Sequence, residues 1–349
     1  MGFRAVAALE NIQRQFPGGA IWSLKRMMDL HRDLAAENGW SGTTNLSPTQ
    51  DIVRDAGDQP KFPPPVFIVG PPRSGTSLLY ESLVTRYRFA YFSNLADRFS
   101  FMPVPATAIG IFFVRGWRGK FESRYGHIDG WGAPSEAGRI WNRWLPRTRR
   151  NCAISVKAEK QLQTAISAFS ALFDAPFINK NVMLSMHIGM LARIFENPVF
   201  IRVTRDPVEN VRSILGAQDA GIGPYENGWW SVRPTLADRF ENADRLTKAC
   251  VQVIGIEADI LADCKRHALD RLFTVDYHDM CQRPRDLLDE LGTFLRDCKI
   301  ELRDRLQVPA SFSRRSKNGP RLSEAVIRAK LDEIARQAPL CTVSPSEQP

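Results

Sequence analysis

The sequence has no CxxC pair and no Cys/His cluster; its six cysteines, Cys152, Cys250, Cys264, Cys281, Cys298 and Cys341, are scattered along 349 residues. This scatter argues against a structural zinc site and a small disulfide scaffold. No apolar run approaches the ~20 residues of a membrane-spanning helix. The most apolar stretch, Val104 to Val114, is interrupted by Pro105 and Gly110. Near the N-terminus, Arg4, Glu10 and Arg14 stand where a leader would be apolar, and Val6 replaces the Ser or Thr of a myristoylation signal. Internal repeats are also missing. These absences predict a soluble, reduced, cytoplasmic chain.

What is present is an ordinary globular composition, 44% hydrophobic and 24% charged, which excludes wholesale disorder and fibrous architectures. A formal charge of +9, from 47 Lys+Arg against 38 Asp+Glu, favours an anionic partner: nucleic acid, a membrane surface or a phosphorylated small molecule. The basic residues are dispersed and no nucleic-acid-binding module is readable, so no nucleic-acid partner is expected. The sequence does not specify an oligomeric state.

Residues 1–60 read as an N-terminal helical extension, closed by the stiff Lys61–Pro65 segment. Residues 61–300 read as an α/β domain with insertions near 97–150 and 219–234, and 301–349 as a basic tail whose end, after Pro339, is disordered. Val66–Val69 is a short apolar run closed by Gly70, as expected of a strand buried on both faces. Further strands are predicted at Pro176–Ile178, Val199–Thr204 and Leu272–Val275. Helices are predicted at Ser185–Glu196, Thr235–His267 and Arg285–Cys298. A helix start follows Thr204, with Asp206 as N-cap, Pro207 at N1 and Glu209 at N3. Alternating strands and helices imply a mostly parallel sheet with right-handed crossovers.

The most informative segment is Gly70-Pro-Pro-Arg-Ser-Gly-Thr-Ser77. Lying between a buried strand and a helix, it turns the free N–H groups and positive dipole end of that helix toward one point, an anion site. Its glycine spacing is that of a nucleotide phosphate loop, but Thr76 occupies the place of the ATPase lysine. Arg73 supplies a fixed, fork-shaped cation instead, and Ser74, Thr76 and Ser77 add hydroxyl donors around Gly75. Arg205, at a strand end, and Ser213, in the helix that follows, suit a second phosphate. A small-molecule kinase is the nearest enzymatic rival. The missing lysine, and Arg205-Asp206 where a magnesium-binding carboxylate would be wanted, speak against it.

These elements resemble the sulfotransferase superfamily, in its bacterial and protein-tyrosine-type branch. The matching segments are Phe67–Ser77, Asn179–Asn181, Leu191–Phe195, Val199–Pro207 with Ser213, Asp276–Met280, Pro284 and Leu291–Leu295. The resemblance implies a P-loop-like parallel sheet flanked by helices. It also implies 3′-phosphoadenosine 5′-phosphosulfate as co-substrate, no metal, and sulfuryl transfer to an acceptor hydroxyl; the acceptor stays open among a glycolipid, a polysaccharide precursor, a small phenol and a peptide, with a carbohydrate or glycolipid taken as the lead. On that resemblance, Arg73 with Ser74, Gly75, Thr76 and Ser77 forms the 5′-phosphosulfate loop. Arg205 and Ser213 form the 3′-phosphate pair, and Lys180 lies near the transferred group.

The acceptor hydroxyl needs a base. The glutamate that serves in tyrosine-sulfating relatives has no counterpart in Tyr91–Asp97, which offers only Asp97. Glu136, at a helix start and flanked by tryptophans, is the preferred candidate, with Asp97 second and His127 third; His187 reads as a packing residue. Tryptophans 117, 131, 141, 144, 229 and 230 are expected to divide between core packing and a sugar-binding wall. Lys317 and Arg321 are candidates to close over the nucleotide.

Overall fold

The computed structural model describes residues 63–111, 114, 116–123, 126–145, 153–222, 225–226, 228–267, 270–313 and 322–338. The N-terminal extension, Lys317 and Arg321 lie outside them.

Four parallel strands form the centre: β1 (Val66–Val69), β2 (Ile178–Lys180), β3 (Val199–Thr204) and β6 (Leu272–Asp276), in the order β2-β1-β3-β6. Parallel pairing requires crossovers, and helices supply them on both faces. Strand β1 is wholly buried, as its unbroken apolar run predicts. Two short antiparallel strands, β4 (Tyr225–Glu226) and β5 (Trp229–Trp230), form a separate hairpin.

Helix α1 (Thr76–Arg86) follows β1. The short α2 (Asn94–Arg98), α3 (Pro103–Ile109) and α4 (Gly138–Trp141) lie in the insertion before the long crossover helix α5 (Val156–Phe173). Helix α6 (Ile188–Ile194) precedes β3, and α7 (Pro207–Asp219) follows it. After the hairpin come α8 (Arg245–Arg266), then β6, α9 (Tyr277–Gln282), α10 (Pro284–Asp297) and α11 (Glu324–Gln337).

The sheet core is aromatic: Phe67 packs against Phe195, Phe200 and Trp141 with ring centroids 5.8–6.3 Å apart. A second core joins α7, α8, α11 and β5 through Val211, Ile214, Trp229, Val251, Ile327 and Ile334.

The structure differs from the sequence reading at several boundaries. The helix predicted over Thr235–His267 is broken: Thr235–Phe240 is a 3₁₀ segment whose first N–H donates to Asp259 Oδ2 at 2.8 Å, and α8 starts only where Asp244 caps Thr247. Ser185–Glu196 likewise divides into a 3₁₀ turn, Val182–Met186, and α6. Ser185 Oγ accepts from Gly70 N at 3.0 Å and donates back to Gly70 O, holding this turn against the strand end. The second strand lies at Ile178–Lys180, two residues beyond the predicted start. Within the segment read as a tail, α11 folds back with Ile327 and Ile334 fully buried. None of the described helices is long and apolar enough to cross a membrane.

Candidate active site

At the C-terminal ends of β1, β2 and β3 lies a cleft of about 620 Å³ lined by Arg73, Thr76, Ser77, Glu136, Lys180, Arg205 and their neighbours. Ligands of open parallel sheets bind at this edge. The loop between β1 and α1 forms its floor. Gly75 has φ +104°, and a Cβ there would stand 2.3 Å from Tyr277 Cδ2, so the position requires glycine. Helix α1 begins without a side-chain cap, and while Leu78 N already donates to Gly75 O at 3.0 Å, the N–H groups of Thr76 and Ser77 face the start of the helix as donors for an anion.

Arg73 adopts the left-handed conformation, φ +68°, which costs an L-residue about 1–2 kcal/mol. Such backbone strain concentrates at functional positions. Its Nε donates to Ser213 Oγ at 3.2 Å. Arg205 Nη1 donates to the Arg73 carbonyl at 3.0 Å, Arg205 pairs with Glu209 at 3.2 Å, and its guanidinium lies 4.5 Å above the Tyr277 ring. The two arginines form one assembly, with α7 as its rear support. The capping reading of that helix holds for Asp206, which accepts from Glu209 N at 2.9 Å. The Glu209 carboxylate turns to Arg205.

Ser74, expected in the 5′-phosphosulfate loop, and Ser213, expected in the 3′-phosphate pair, sit behind the cleft surface. Ser74 is fully buried and its hydroxyl has no hydrogen-bond partner among the described residues. Neither it nor Ser213 is among the residues lining the cleft.

The opposite wall rises from the end of β2. Lys180 is almost fully buried; its ammonium donates to Ser77 Oγ at 3.1 Å and to Glu136 Oε1. One cation thus links Ser77 to a carboxylate, and that carboxylate is 36% exposed. Asn179 and Asn181 flank Lys180 and bind the backbone beside Glu136: Asn179 Nδ2 donates to Ser135 O at 3.0 Å and Asn181 Nδ2 to Glu136 O at 2.8 Å. The asparagine pair belongs to a sequence segment singled out for Lys180, but its hold on 135–136 is invisible without the fold.

Asp97 also lines the cleft, yet its Oδ1 accepts from Arg139 N at 3.0 Å, a contact to the first turn of α4. His127 is at the rim, exposed and 3.5 Å from Asp129. His187 is buried. The tryptophans do not form the wall read from the sequence. Trp141 is turned into the core, where its Nε1 donates to Asn179 Oδ1 at 2.7 Å, and Trp131 is 58% exposed. Neither lines the cleft, whereas Trp230 does. Gln252 fixes that segment, accepting from Trp230 N at 3.1 Å and donating to Val232 O at 2.8 Å. Phe312, whose ring centroid is 5.0 Å from that of Phe121, joins the far rim. Sequence reasoning missed Tyr277 and Phe312 as cleft residues, while Trp230 is among the tryptophans expected in the wall. For Tyr277, its place directly after a strand was the available signal.

Among the described residues no group of three or more His, Cys, Asp or Glu is arranged to hold a metal ion. Among the described residues, the arginines and lysines that line the cleft are Arg73, Lys180 and Arg205.

A model of the sulfotransferase family matches residues 64–297. Among solved structures, the chain is similar to the sulfotransferase domain from the curacin biosynthetic pathway, with 14% identity over 79% of this chain and 97% of that one and a TM-score of 0.40. It is also similar to sulfotransferase STF9 from Mycobacterium avium (14% identity, 91% and 75% covered, TM-score 0.47). A third similar structure is sulfotransferase STF1 from Mycobacterium tuberculosis (14% identity, 78% and 77% covered, TM-score 0.41). No curated protein sequence matches the chain.

Proposed function

The chain belongs to the sulfotransferase family, and from that premise we propose that it transfers the sulfuryl group of 3′-phosphoadenosine 5′-phosphosulfate to an acceptor hydroxyl with Glu136 as base. The observation that carries this reading is the position of Lys180, whose ammonium bonds both Ser77 of the phosphate loop and Glu136.

In the proposed reaction, Arg73 and the α1 N-terminus hold the 5′-phosphosulfate, while Arg205 faces the 3′-phosphate. Ser213 and Ser74 act from behind: Ser213 orients the Arg73 guanidinium, and Ser74 supports the loop from beneath. The acceptor oxygen attacks sulfur as its proton passes to Glu136. The bond from sulfur to the phosphate oxygen breaks, and adenosine 3′,5′-bisphosphate leaves with the electron pair. Negative charge grows on that leaving oxygen, so fixed cations at Arg73 and Lys180 stabilise the transition state more than the ground state. An incoming sulfonate competes with Glu136 for the Lys180 ammonium, which frees the carboxylate for the acceptor proton. Asp97 is the weaker candidate for base because its carboxylate already holds the first turn of α4. A polar wall of Asn94, Ser135, Glu136 and Asn181 suits a hydroxyl-rich acceptor, a carbohydrate or the sugar of a glycolipid.

The test is release of adenosine 3′,5′-bisphosphate from the sulfonated nucleotide, with and without sugar and glycolipid acceptors, in the presence of a chelator. Acceptor-dependent release that survives chelation is expected. Failure to bind the nucleotide, or release abolished by the chelator, would contradict the proposal.

A further inference from the structure

We infer that Asn181, with Asn179 and Trp141 behind it, is a positioning residue that aims the Glu136 carboxylate. The inference rests on the reading of Glu136 as the base.

Glu136 stands in irregular backbone just before α4, next to Ala137 in the left-handed conformation at φ +53°. Locally, Ser135 Oγ accepts from Ala137 N at 3.1 Å and braces the backbone around Glu136. Two amide side chains do so from another element, and their orientations follow from neighbours that can only donate. The Trp141 indole is a donor without acceptor capacity, so the oxygen of Asn179 must face it, at 2.7 Å. That orientation directs Nδ2 to Ser135 O at 3.0 Å and to the Tyr80 hydroxyl at 3.2 Å. Asn181 repeats the logic. Its Oδ1 accepts from Met183 N at 2.9 Å, which commits Nδ2 to Glu136 O at 2.8 Å.

Consecutive carbonyls, 135 and 136, are therefore held by amides two residues apart on one strand end, while Lys180 between them holds the carboxylate itself. Asn179 is fully buried and Asn181 nearly so, and a buried network with its partners satisfied is rigid. Rigidity has catalytic value here because misplacing a reacting group by about 1 Å can cost about 10²-fold in rate.

Two substitutions at Asn181 isolate the effect. Asn181→Asp keeps an oxygen for Met183 N but sets an acceptor against the Glu136 carbonyl; Asn181→Ala removes both bonds. The one loss they share is the Nδ2 donor. Both variants are expected to lower single-turnover rate about tenfold or more, with binding of adenosine 3′,5′-bisphosphate held near normal. Introduced into Glu136→Gln, neither should lower the rate further, because residues acting through one group are non-additive. Normal turnover in Asn181→Asp, with only Asn181→Ala impaired, would reduce Asn181 to the cap of the 3₁₀ turn and overturn the inference. An equal fold-loss in the Glu136→Gln background would overturn it as well. Normal turnover in Glu136→Gln alone would strike the base assignment and take the inference with it.

Discussion

Arg73 donates from Nε to Ser213 Oγ at 3.2 Å, joining the phosphate loop to the first half of α7 across 140 residues of sequence. The contact fixes the direction of the guanidinium fork, and Arg73 lines the cleft. It also explains why a serine in the following helix matters to a loop that it does not border.

Arg73 holds a left-handed backbone while its side chain reaches Ser213. Arg73→Gly should therefore leave the melting temperature unchanged or slightly higher, since glycine adopts φ +68° without strain. Affinity for adenosine 3′,5′-bisphosphate should fall at least about tenfold, the loss typical of a charge-assisted hydrogen bond. Calorimetric titration alongside thermal melting separates the two effects. A large drop in melting temperature would mean that the guanidinium mainly braces the fold.

Arg205 donates to the Arg73 carbonyl, pairs with Glu209, lies over the Tyr277 ring and lines the cleft. Arg205→Ala should weaken a 3′-phosphorylated nucleotide about tenfold or more beyond the loss seen with its 3′-dephosphorylated analogue. Equal losses for the pair would show that the arginine acts through its structural contacts and not on the 3′-phosphate.

The strand–loop–helix at Val66–Arg86 was legible in the sequence because its signals are local: an apolar strand, glycines at a fixed spacing, then a helix. The start of α7 was legible for the same reason, since Asp206 and Pro207 act on their immediate neighbours. The Lys180–Glu136 pair, by contrast, joins residues 44 positions apart, and its two members could be named only separately. Trp141 illustrates the limit of composition. An indole beside polar residues reads as an acceptor wall, but the fold turns it inward to Asn179. Helix α11 escaped notice because its buried face, Ile327, Leu331 and Ile334, is narrow and set among charges.

A stability switch is expected away from the cleft. Burial pushes the Glu257 carboxyl from its ordinary 4.5 up to about 7, with Arg202, 3.8 Å away, pulling the other way. A carboxyl raised on folding contributes stability that is complete below its unfolded value and disappears as pH rises through the folded one. Wild-type protein should therefore lose stability relative to Glu257→Gln between pH 4.5 and 7. At pH 8 the variant should melt about 2–4 °C higher, roughly what 1 kcal/mol produces in a domain of 150–250 residues. Parallel melting curves for the two proteins across this range would refute the assignment.

The most direct test of the account is single turnover by Glu136→Gln. The substitution preserves size and a hydrogen bond to Lys180 while removing the basic oxygen. The rate with a competent acceptor should fall by about two to four orders of magnitude, with affinity for adenosine 3′,5′-bisphosphate nearly unchanged. A near-normal rate in this variant, with Asp97→Asn inactive yet still able to bind nucleotide, would contradict it and move the base to Asp97.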